Sequence, residues 1–289
     1  MPETLLDRLL LPGAFRVVFQ PILSYDQRGW QIHALEALVR GPRGTHMEYP
    51  EVLFEYVRRK SAEAVVDRHC VAEVMKAARP LGSQITLSIN VHAATLEQDA
   101  TFPDFFRAQV QEAGRVPARV IVEIVEHAAP WAGAGFARAL EAMRAHGFAI
   151  ALDDVGLGHS NFRMILECRP EYFKLDAFLV RGSHNDYYRR AVVRSIVELA
   201  ASFGGTAVAE GLDNVEDLRI VLDEGVRSVQ GYLLARPAPA DVLGGSELMM
   251  RAATRLPTAF DDVRFTPSGD WLRQATQALS QAAPLAAAS

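Results

Sequence analysis

Short apolar runs alternate with longer segments of helical period along most of the chain. The short runs are rich in Val and Ile, as expected for buried strands. Eight of them are strand candidates, and they cover residues 15–22, 32–40, 84–92, 120–128, 148–154, 171–176, 205–211 and 227–235. The longer segments carry apolar residues three and four positions apart, which predicts helices over 50–78 (as two helices), 131–147 and 185–204.

This order of elements predicts a single α/β fold. Strands that alternate with helices are typical of parallel βαβ units. Eight such strands in a chain of 289 residues predict a (β/α)8 TIM-like barrel. The first connection, over residues 23–30, is too short for a crossover helix and contains Gly29. It therefore predicts a hairpin, so the first strand of the barrel should be antiparallel to its neighbour.

The alternating pattern fades after "YLLARPAPA" (232–240), which divides the chain into two parts. We expect the barrel domain to occupy residues 1–245. Residues 246–289 form a C-terminal extension that is part helical, with a helix candidate at 269–281 and the Ala-rich end "AAPLAAAS". Chain ends are poorly held unless they dock on a domain, so we expect this end to be disordered.

Polar side chains collect at or near the carboxyl ends of the predicted strands. In a barrel of parallel strands these ends share one rim, which is where active sites lie. A polar group in an apolar strand is costly unless it is paired or binds a metal. The residues concerned are Glu36, Asn90, Glu123, Glu126, Asp153, Asp154, Lys174, Asp176, Glu210 and Gln230. Packing alone does not explain so many polar residues on one rim, so we predict an active site there.

The charge balance of this rim predicts divalent cations. Five carboxylates would face only Lys174 and Arg40, and carboxylates at close range push protons onto one another. The donor atoms are oxygens, without Cys or His, which favours Mg²⁺ or Mn²⁺ over Zn²⁺. The adjacent Asp153 and Asp154 suit two ions, and a pair of ions can clamp the oxygens of a phosphoryl displacement. Lys174 would then orient the attacking water or stabilise charge on the phosphate.

Simpler roles are open for several of these residues when each is taken alone. Asp153 and Asp154 could cap the next helix, because Asp is a good N-cap. Asn90 could be a turn residue, and Lys174 could belong to a structural ion pair. His159 could act as a general base, although a metal-activated water makes a histidine base unnecessary. The whole set of residues favours the metal site over these alternatives.

Composition excludes some classes of protein. The net charge is −5, so the basic face that binds duplex nucleic acid is not expected. No apolar run approaches the ~20 residues of a membrane span. The first residues lack the basic region of a signal peptide, so we expect a cytoplasmic protein with no membrane partner. Cys70 and Cys168 have neither zinc nor redox spacing and are expected to be buried thiols.

The motifs along these strands resemble those of the EAL-domain family, bacterial phosphodiesterases of cyclic di-GMP. The motif that names the family is present as "EALVR", Glu36 to Arg40, and "FQPI" at 19–22 precedes it. Further blocks follow in the family's order and at approximately its spacing: "SINVH", "EIVE", "LDDVG", "FKLD", "AVAEG" and "VQGYLLARP". The resemblance extends from about residue 3 to about residue 245, and eight ordered blocks are far more specific than one motif.

The resemblance implies a barrel with an antiparallel first strand and a role for each rim residue. It implies that one metal is bound by Glu36, Asn90, Glu123 and Asp153. It implies that the second is bound by Asp153, Asp154 and Glu210. We expect the catalytic residues to be Lys174, Glu210, Gln230 and Glu36. We expect the substrate contacts to be Gln20, Leu38, Arg40, Asp176 and Gln230. Glu126 resembles the glutamate that anchors a loop in the family and is not a metal ligand.

The reaction implied by the resemblance is hydrolysis of cyclic di-GMP to linear pGpG by in-line attack of a metal-activated water. The cofactors would be Mg²⁺ or Mn²⁺, with two ions per site. The family resemblance also implies a homodimer. Dimerisation, a separate regulatory partner and the C-terminal segment are all open as sources of control.

One loop departs from the family and leaves other functions open. The family usually has DFGTGYSS or DFGAGYSS from the second aspartate on, whereas this chain has "DVGLGHSN" over 154–161. Two smaller departures are Asp213 for the Glu of "AEGVE" and Val125 for the Thr of "ELTE". The alternative function is therefore a cyclic di-GMP receptor or interaction module with weak or no catalysis. A third is a scaffold that binds neither metal nor nucleotide.

Overall fold

The computed structural model describes residues 4–26, 29–125, 133–156 and 162–243. Eight strands form a closed barrel in which each strand pairs with the next and the last pairs with the first. The strands are β1 Arg16–Asp26, β2 Gly29–Arg40, β3 Leu87–His92, β4 Val120–Val125, β5 Ala149–Val155, β6 Tyr172–Leu175, β7 Thr206–Ala209 and β8 Ser228–Val229. The predicted (β/α)8 barrel is confirmed.

The first strand runs against the rest of the barrel, as the hairpin pattern predicts. β1 is antiparallel to β2 and β8, whereas the pairs from β2 to β8 are parallel. The segment predicted as a connection, 23–30, is mostly strand, because the register continues to the pair Asp26–Gly29. The eighth strand is shorter than the predicted 227–235, since only Ser228 and Val229 pair with both neighbours.

Helices cover the outside of the barrel. Those in the described part of the chain are α1 Leu5–Leu9, α2 Pro50–Arg59, α3 Glu63–Ala77, α4 Ala93–Gln98, α5 Phe102–Glu112, α6 Ala134–Ala145, α7 Phe162–Cys168, α8 Ala177–Val180, α9 Tyr187–Ser202, α10 Val215–Asp223 and α11 Ala240–Leu243. α2 and α3 are the two helices predicted over 50–78. α6 and α9 lie inside the other predicted helical segments, and the Asp186 side chain caps α9 by accepting from two backbone N–H groups.

Apolar side chains fill the space on both sides of the strands. The main core lies between the barrel and the helices and includes Cys70 and Cys168, which are buried and form no disulfide, as expected. A smaller cluster consists of inward residues of five strands: Ile22, Ala34, Ile121, Ala151 and Val208. Strand side chains alternate between faces, so residues two positions away point the same way. On the rim side, those positions are Gln20, Glu36, Glu123, Asp153 and Glu210.

Several expectations concern residues outside the described ranges. These are the loop-anchoring Glu126, residues 157–161 of the altered loop with His159, and the C-terminal extension 246–289. Within the described ranges, every helix is too short or too polar to cross a bilayer.

A buried carboxylate, Asp217, joins α10 to the segment between α8 and α9. Its oxygens accept hydrogen bonds from the backbone N–H groups of Gly182 and His184 and from the side chains of Ser183, His184 and Asn214. Burial alone would raise the pKa of Asp217, but these donors outweigh it and lower the pKa to about 2. The ionised carboxylate therefore stabilises this side of the barrel.

Replacing Asp217 with Asn should destabilise the protein in a pH-dependent way. A folded-state pKa of about 2 lies below the ordinary value of 3.8. The contribution, about 2 kcal/mol, is therefore present above about pH 4 and lost as the pH falls toward 2. Urea unfolding at pH 7 and pH 3 should show a smaller difference between the Asp217→Asn variant and wild type at the lower pH. Asp213→Asn, at a more exposed carboxylate nearby, is the control. Equal stabilities at pH 7 would contradict the assignment.

Candidate active site

Lys174, on β6, lies among four carboxylates at the rim of the barrel. Its Nζ is 3.6 Å from Glu36 Oε2, 3.5 Å from Asp153 Oδ1 and 2.6 Å from Glu210 Oε1. It also donates a hydrogen bond to Glu123 Oε1. Lys174 is 2% exposed and Glu123 is 0% exposed, so water screens these charges poorly. One ammonium group therefore faces four carboxylates from four other strands or strand ends.

The pKa values of this cluster reflect the excess of negative charge. Burial raises the pKa of Glu123 to about 8, with Lys174 opposing it and Glu36 adding to it. Burial also raises the pKa of Glu210 well above its ordinary value, and the charge of Asp153 adds to this. Burial alone would lower the pKa of Lys174, but the surrounding carboxylates raise it well above its ordinary value. The cluster thus holds more carboxylates than one lysine can keep ionised.

Amide side chains hold the carboxylate of Glu36 from two sides. Asn90 Nδ2 donates to Glu36 Oε1 at 3.2 Å, and Gln230 Nε2 donates to Glu36 Oε2 at 2.6 Å. Gln230 Nε2 also lies 3.2 Å from Gln20 Oε1, and Gln20 Nε2 donates to the carbonyl of Ala235 at 3.1 Å. These contacts connect β1, β2, β3 and the end of β8, and they fix the orientation of Glu36.

Asp154 lies where β5 is irregular. The register between β5 and β6 shifts between Leu152 and Val155, and Asp154 has a φ of 51°. Burial and then the charges of Asp153 and Asp176 raise the pKa of Asp154 to about 7, so these three carboxyls are neighbours. Both aspartates lie within β5, which continues to Val155, so neither directly precedes a helix and the capping alternative is wrong. Asp176 is itself the cap of α8.

The structure brings the predicted site residues together, apart from Glu126, which is not among the described residues. Leu38 and Arg40 line a cavity that also contacts Glu36, Asn90 and Asp153. Gln20 and Gln230 are hydrogen-bonded to each other beside Glu36, and Asp176 adjoins Asp154. This geometry brings the residues into one place, while the role of each residue stays a prediction.

Three polar residues of this region are absent from the predicted set. Ser88 Oγ donates to Glu123 Oε2 at 2.8 Å, and Asp67 and His92 form an ion pair with 2.8 Å between Oδ1 and Nδ1. Ser88 and His92 lie two positions before and after Asn90, so the alternation of β3 could have identified both. Asp67 lies on α3, and sequence pattern alone contains no signal for it.

The carboxylates fit a divalent cation. One oxygen each of Glu36, Glu123 and Glu210 lie within 4.8 Å of one another. The donors are all oxygens, which suits Mg²⁺ or Mn²⁺. Gln230 Oε1 is buried, and within the described residues it has no hydrogen-bond partner, which leaves a buried acceptor on a side chain that contacts Glu36. A divalent cation would supply the positive charge that Lys174 alone does not.

Comparison with known proteins finds a matching family and similar relatives. The family model described as EAL domain matches residues 4–237. The chain is 33% identical to the cyclic di-GMP phosphodiesterase RocR of Pseudomonas aeruginosa over 159 residues, which are 55% of this chain and 40% of RocR. It is 30% identical to an uncharacterized signaling protein of Caulobacter vibrioides over 222 residues, which are 74% of this chain and 26% of that protein.

Solved structures share the barrel. The Klebsiella pneumoniae protein BlrP1, in complexes with cyclic di-GMP and calcium or manganese, superposes with a TM-score of 0.70 and 28% identity. The match covers 79% of this chain and 57% of BlrP1. The first curated relatives are longer than this chain, which spans only about a quarter to two fifths of their length.

Mn²⁺ or Mg²⁺ should raise the unfolding temperature of the purified protein relative to EDTA. An ion that binds only the folded state stabilises it by about 2.7 kcal/mol at one hundred times its Kd, or about 5–10 °C for a domain of this size. Asp153→Asn should reduce this shift, and Glu55→Gln, on the outer surface of α2, should keep it. Differential scanning fluorimetry would measure both. Identical unfolding temperatures in EDTA and in metal would contradict a metal site.

Proposed function

The chain belongs to the EAL domain family, and from this premise we propose that it is a metal-dependent phosphodiesterase that hydrolyses cyclic di-GMP to linear pGpG. The observation that carries the proposal is the buried cluster of Glu36, Glu123, Asp153 and Glu210 around Lys174. Two findings support the substrate: RocR is named a cyclic di-GMP phosphodiesterase, and BlrP1 binds that dinucleotide together with calcium or manganese.

We assign the metal ligands of the proposed enzyme to one side of the rim. Two ions, Mg²⁺ or Mn²⁺, would be held by Glu36, Asn90, Glu123, Asp153, Asp154 and Glu210. When bound, such ions activate water for attack and neutralise charge on the phosphodiester. The proximity of Glu36, Glu123 and Glu210 supports this assignment, as does the electrostatic interaction between the carboxyls of Asp154 and Asp153.

Lys174 and Gln230 are the other catalytic residues of the proposal. The Lys174 Nζ is a buried cationic donor that can hydrogen-bond the attacking water or a phosphate oxygen at the centre of the cluster. The Gln230 Nε2 is already committed to Glu36 and Gln20, so its role is to hold Glu36 in place while its Oε1 accepts from water or substrate. Both residues act by positioning and charge.

The substrate contacts of the proposal lie around the cluster. Leu38 and Arg40 line the cavity beside Glu36, and the Arg40 guanidinium offers donors for the phosphate or base of a nucleotide. Gln20 and Asp176 border the cluster on its other sides. The alternative function, a receptor without catalysis, depends on the altered loop 154–161, of which only residues 154–156 are described.

The wider biological predictions belong to the same proposal. We expect a cytoplasmic homodimer whose barrel occupies residues 1–245 and whose extension occupies 246–289. Exposed aromatic side chains support a contact surface for a second copy, since Phe162, Phe178, Tyr187 and Tyr188 on α7, α8 and α9 are each more than half exposed. A separate regulatory partner is left open.

Purified protein incubated with cyclic di-GMP and Mg²⁺ or Mn²⁺ should produce pGpG, and EDTA should stop the reaction. Glu36→Gln and Lys174→Met should each lower kcat by about a thousandfold, because several kcal/mol of transition-state stabilisation are lost. Chromatographic separation of the two nucleotides measures the rate.

Glu55→Gln serves as the control and should keep wild-type activity. Circular dichroism establishes that each variant is folded. Tight binding of cyclic di-GMP by folded wild type without any pGpG would reject the enzyme and support the receptor. Binding of neither metal nor nucleotide, measured by calorimetry, would support the scaffold.

A further inference from the structure

Ser88, on β3, places a buried hydroxyl group beside the carboxylate cluster. The residue is 1% exposed, and its Oγ donates a hydrogen bond to Glu123 Oε2 at 2.8 Å. In the register of β3 and β4, Ser88 lies next to Ile121, which is two positions before Glu123. On its other side, the register partner of Ser88 on β2 is Glu36. The hydroxyl group therefore lies on the strand between two strands that both contribute a carboxylate to the cluster.

The two oxygens of Glu123 have different partners. Lys174 donates to Oε1, and Ser88 donates to Oε2. Glu123 is wholly buried, and the preceding inward residue of its strand, Ile121, belongs to the small apolar cluster inside the barrel. A hydroxyl group donates a single hydrogen, and the bond that it forms is directional. Contacts at both oxygens thus fix the orientation of the carboxylate, with Oε1 on the side of Lys174.

Lys174 alone does not set this orientation, because its ammonium group is shared. Its Nζ also lies 3.6 Å from Glu36, 3.5 Å from Asp153 and 2.6 Å from Glu210. An ammonium group is a compact charge with three rotatable donors, so it attracts carboxylate oxygens on several sides. The bond from Ser88 comes from a strand of the barrel and goes to one oxygen only. It is therefore the contact that selects one orientation.

Glu36, on the other side of β3, is held by neutral donors in the same way. The amide of Asn90 donates to one of its oxygens, and the amide of Gln230 donates to the other. Both amides already have roles in the proposed active site, whereas the hydroxyl group of Ser88 has none. A neutral donor can orient a carboxylate without adding the positive charge that would compete with a cation.

We propose that Ser88 is a positioning residue that holds Glu123 in the orientation for metal binding and thereby raises the affinity of the site for its divalent cation. This inference rests on the proposed metal-dependent phosphodiesterase. A group that hydrogen-bonds a metal ligand orients it, and loss of such a group typically lowers metal affinity by about 10–100-fold. If the bond only joined β3 to β4, its loss would lower the stability of the barrel and leave the metal affinity unchanged.

The test measures the Kd for Mn²⁺ in the complete chain without nucleotide, by electron paramagnetic resonance of the free ion. Ser88→Ala should raise this Kd about tenfold, because Glu123 loses the donor that orients it. Ser88→Thr keeps a hydroxyl group on a strand, where β-branched residues fit well, and should restore the Kd to within about twofold of wild type. With cyclic di-GMP as substrate, the Mn²⁺ concentration that gives half the maximal rate should shift as the Kd does.

Ser228→Ala is the matched control. Ser228 is 2% exposed and lies two positions before Gln230, as Ser88 lies two positions before Asn90. Within the described ranges its hydroxyl group donates to no carboxylate, so this variant should keep the wild-type Kd for Mn²⁺.

The possible results separate this inference from the proposed function. A wild-type Kd for Mn²⁺ in Ser88→Ala, shown to be folded by circular dichroism, would overturn this inference and leave the phosphodiesterase intact. The expected change in Kd, together with wild type that produces no pGpG, would support this inference and overturn the phosphodiesterase. Failure of the folded wild-type protein to bind Mn²⁺ would overturn both.

Discussion

The site depends on burying more negative charge than the protein itself neutralises. Four carboxylates surround the ammonium of Lys174, and burial holds the pKa of Glu123 near 8. Such a cluster is expensive to maintain, because each desolvated carboxylate loses its hydration and repels its neighbours. Nothing in the packing of the barrel requires it, since apolar residues fill the equivalent positions one layer below. This free-energy cost is explained if the cluster binds a cation, which neutralises the excess negative charge.

The barrel supplies this cluster through the alternation of its strands. Inward positions carry Ile121, Ala151 and Val208 in the lower layer, and the next inward positions toward the rim carry carboxylates. The antiparallel β1 contributes from the other direction, so its residue Gln20 pairs with Glu36 across the hairpin. An apolar layer in the barrel interior therefore lies directly next to the charged rim.

The sequence predicts the barrel and its charged rim because strand alternation and residues with oxygen donors can both be recognised in short segments of the chain. It predicts the barrel, the hairpin and the rim residues, of which Glu36, Glu123, Asp153 and Glu210 each follow an apolar residue two positions before. It does not predict the ends of β1 and β8. β1 continues in its hairpin pairing with β2 to Asp26, and β8 is limited to the two residues that pair with both β1 and β7. It also fails to find Asp67, whose partner His92 lies on a different element, because a contact between a helix and a strand end has no periodic signature.

The backbone at Asp154 is the most specific structural argument that this residue is a metal ligand in addition to Asp153. In a regular strand Asp153 and Asp154 would point to opposite faces, and one carboxylate would enter the apolar layer under the helices. The register shift in β5 and the positive φ of Asp154 prevent this, and Val155 returns to the core at 2% exposure. Gly156 follows with a φ of 101°, a backbone conformation that favours glycine. Left-handed backbone at a residue other than glycine costs about 1–3 kcal/mol. The strained backbone is best explained if the carboxylates of Asp153 and Asp154 are both needed at the rim as metal ligands.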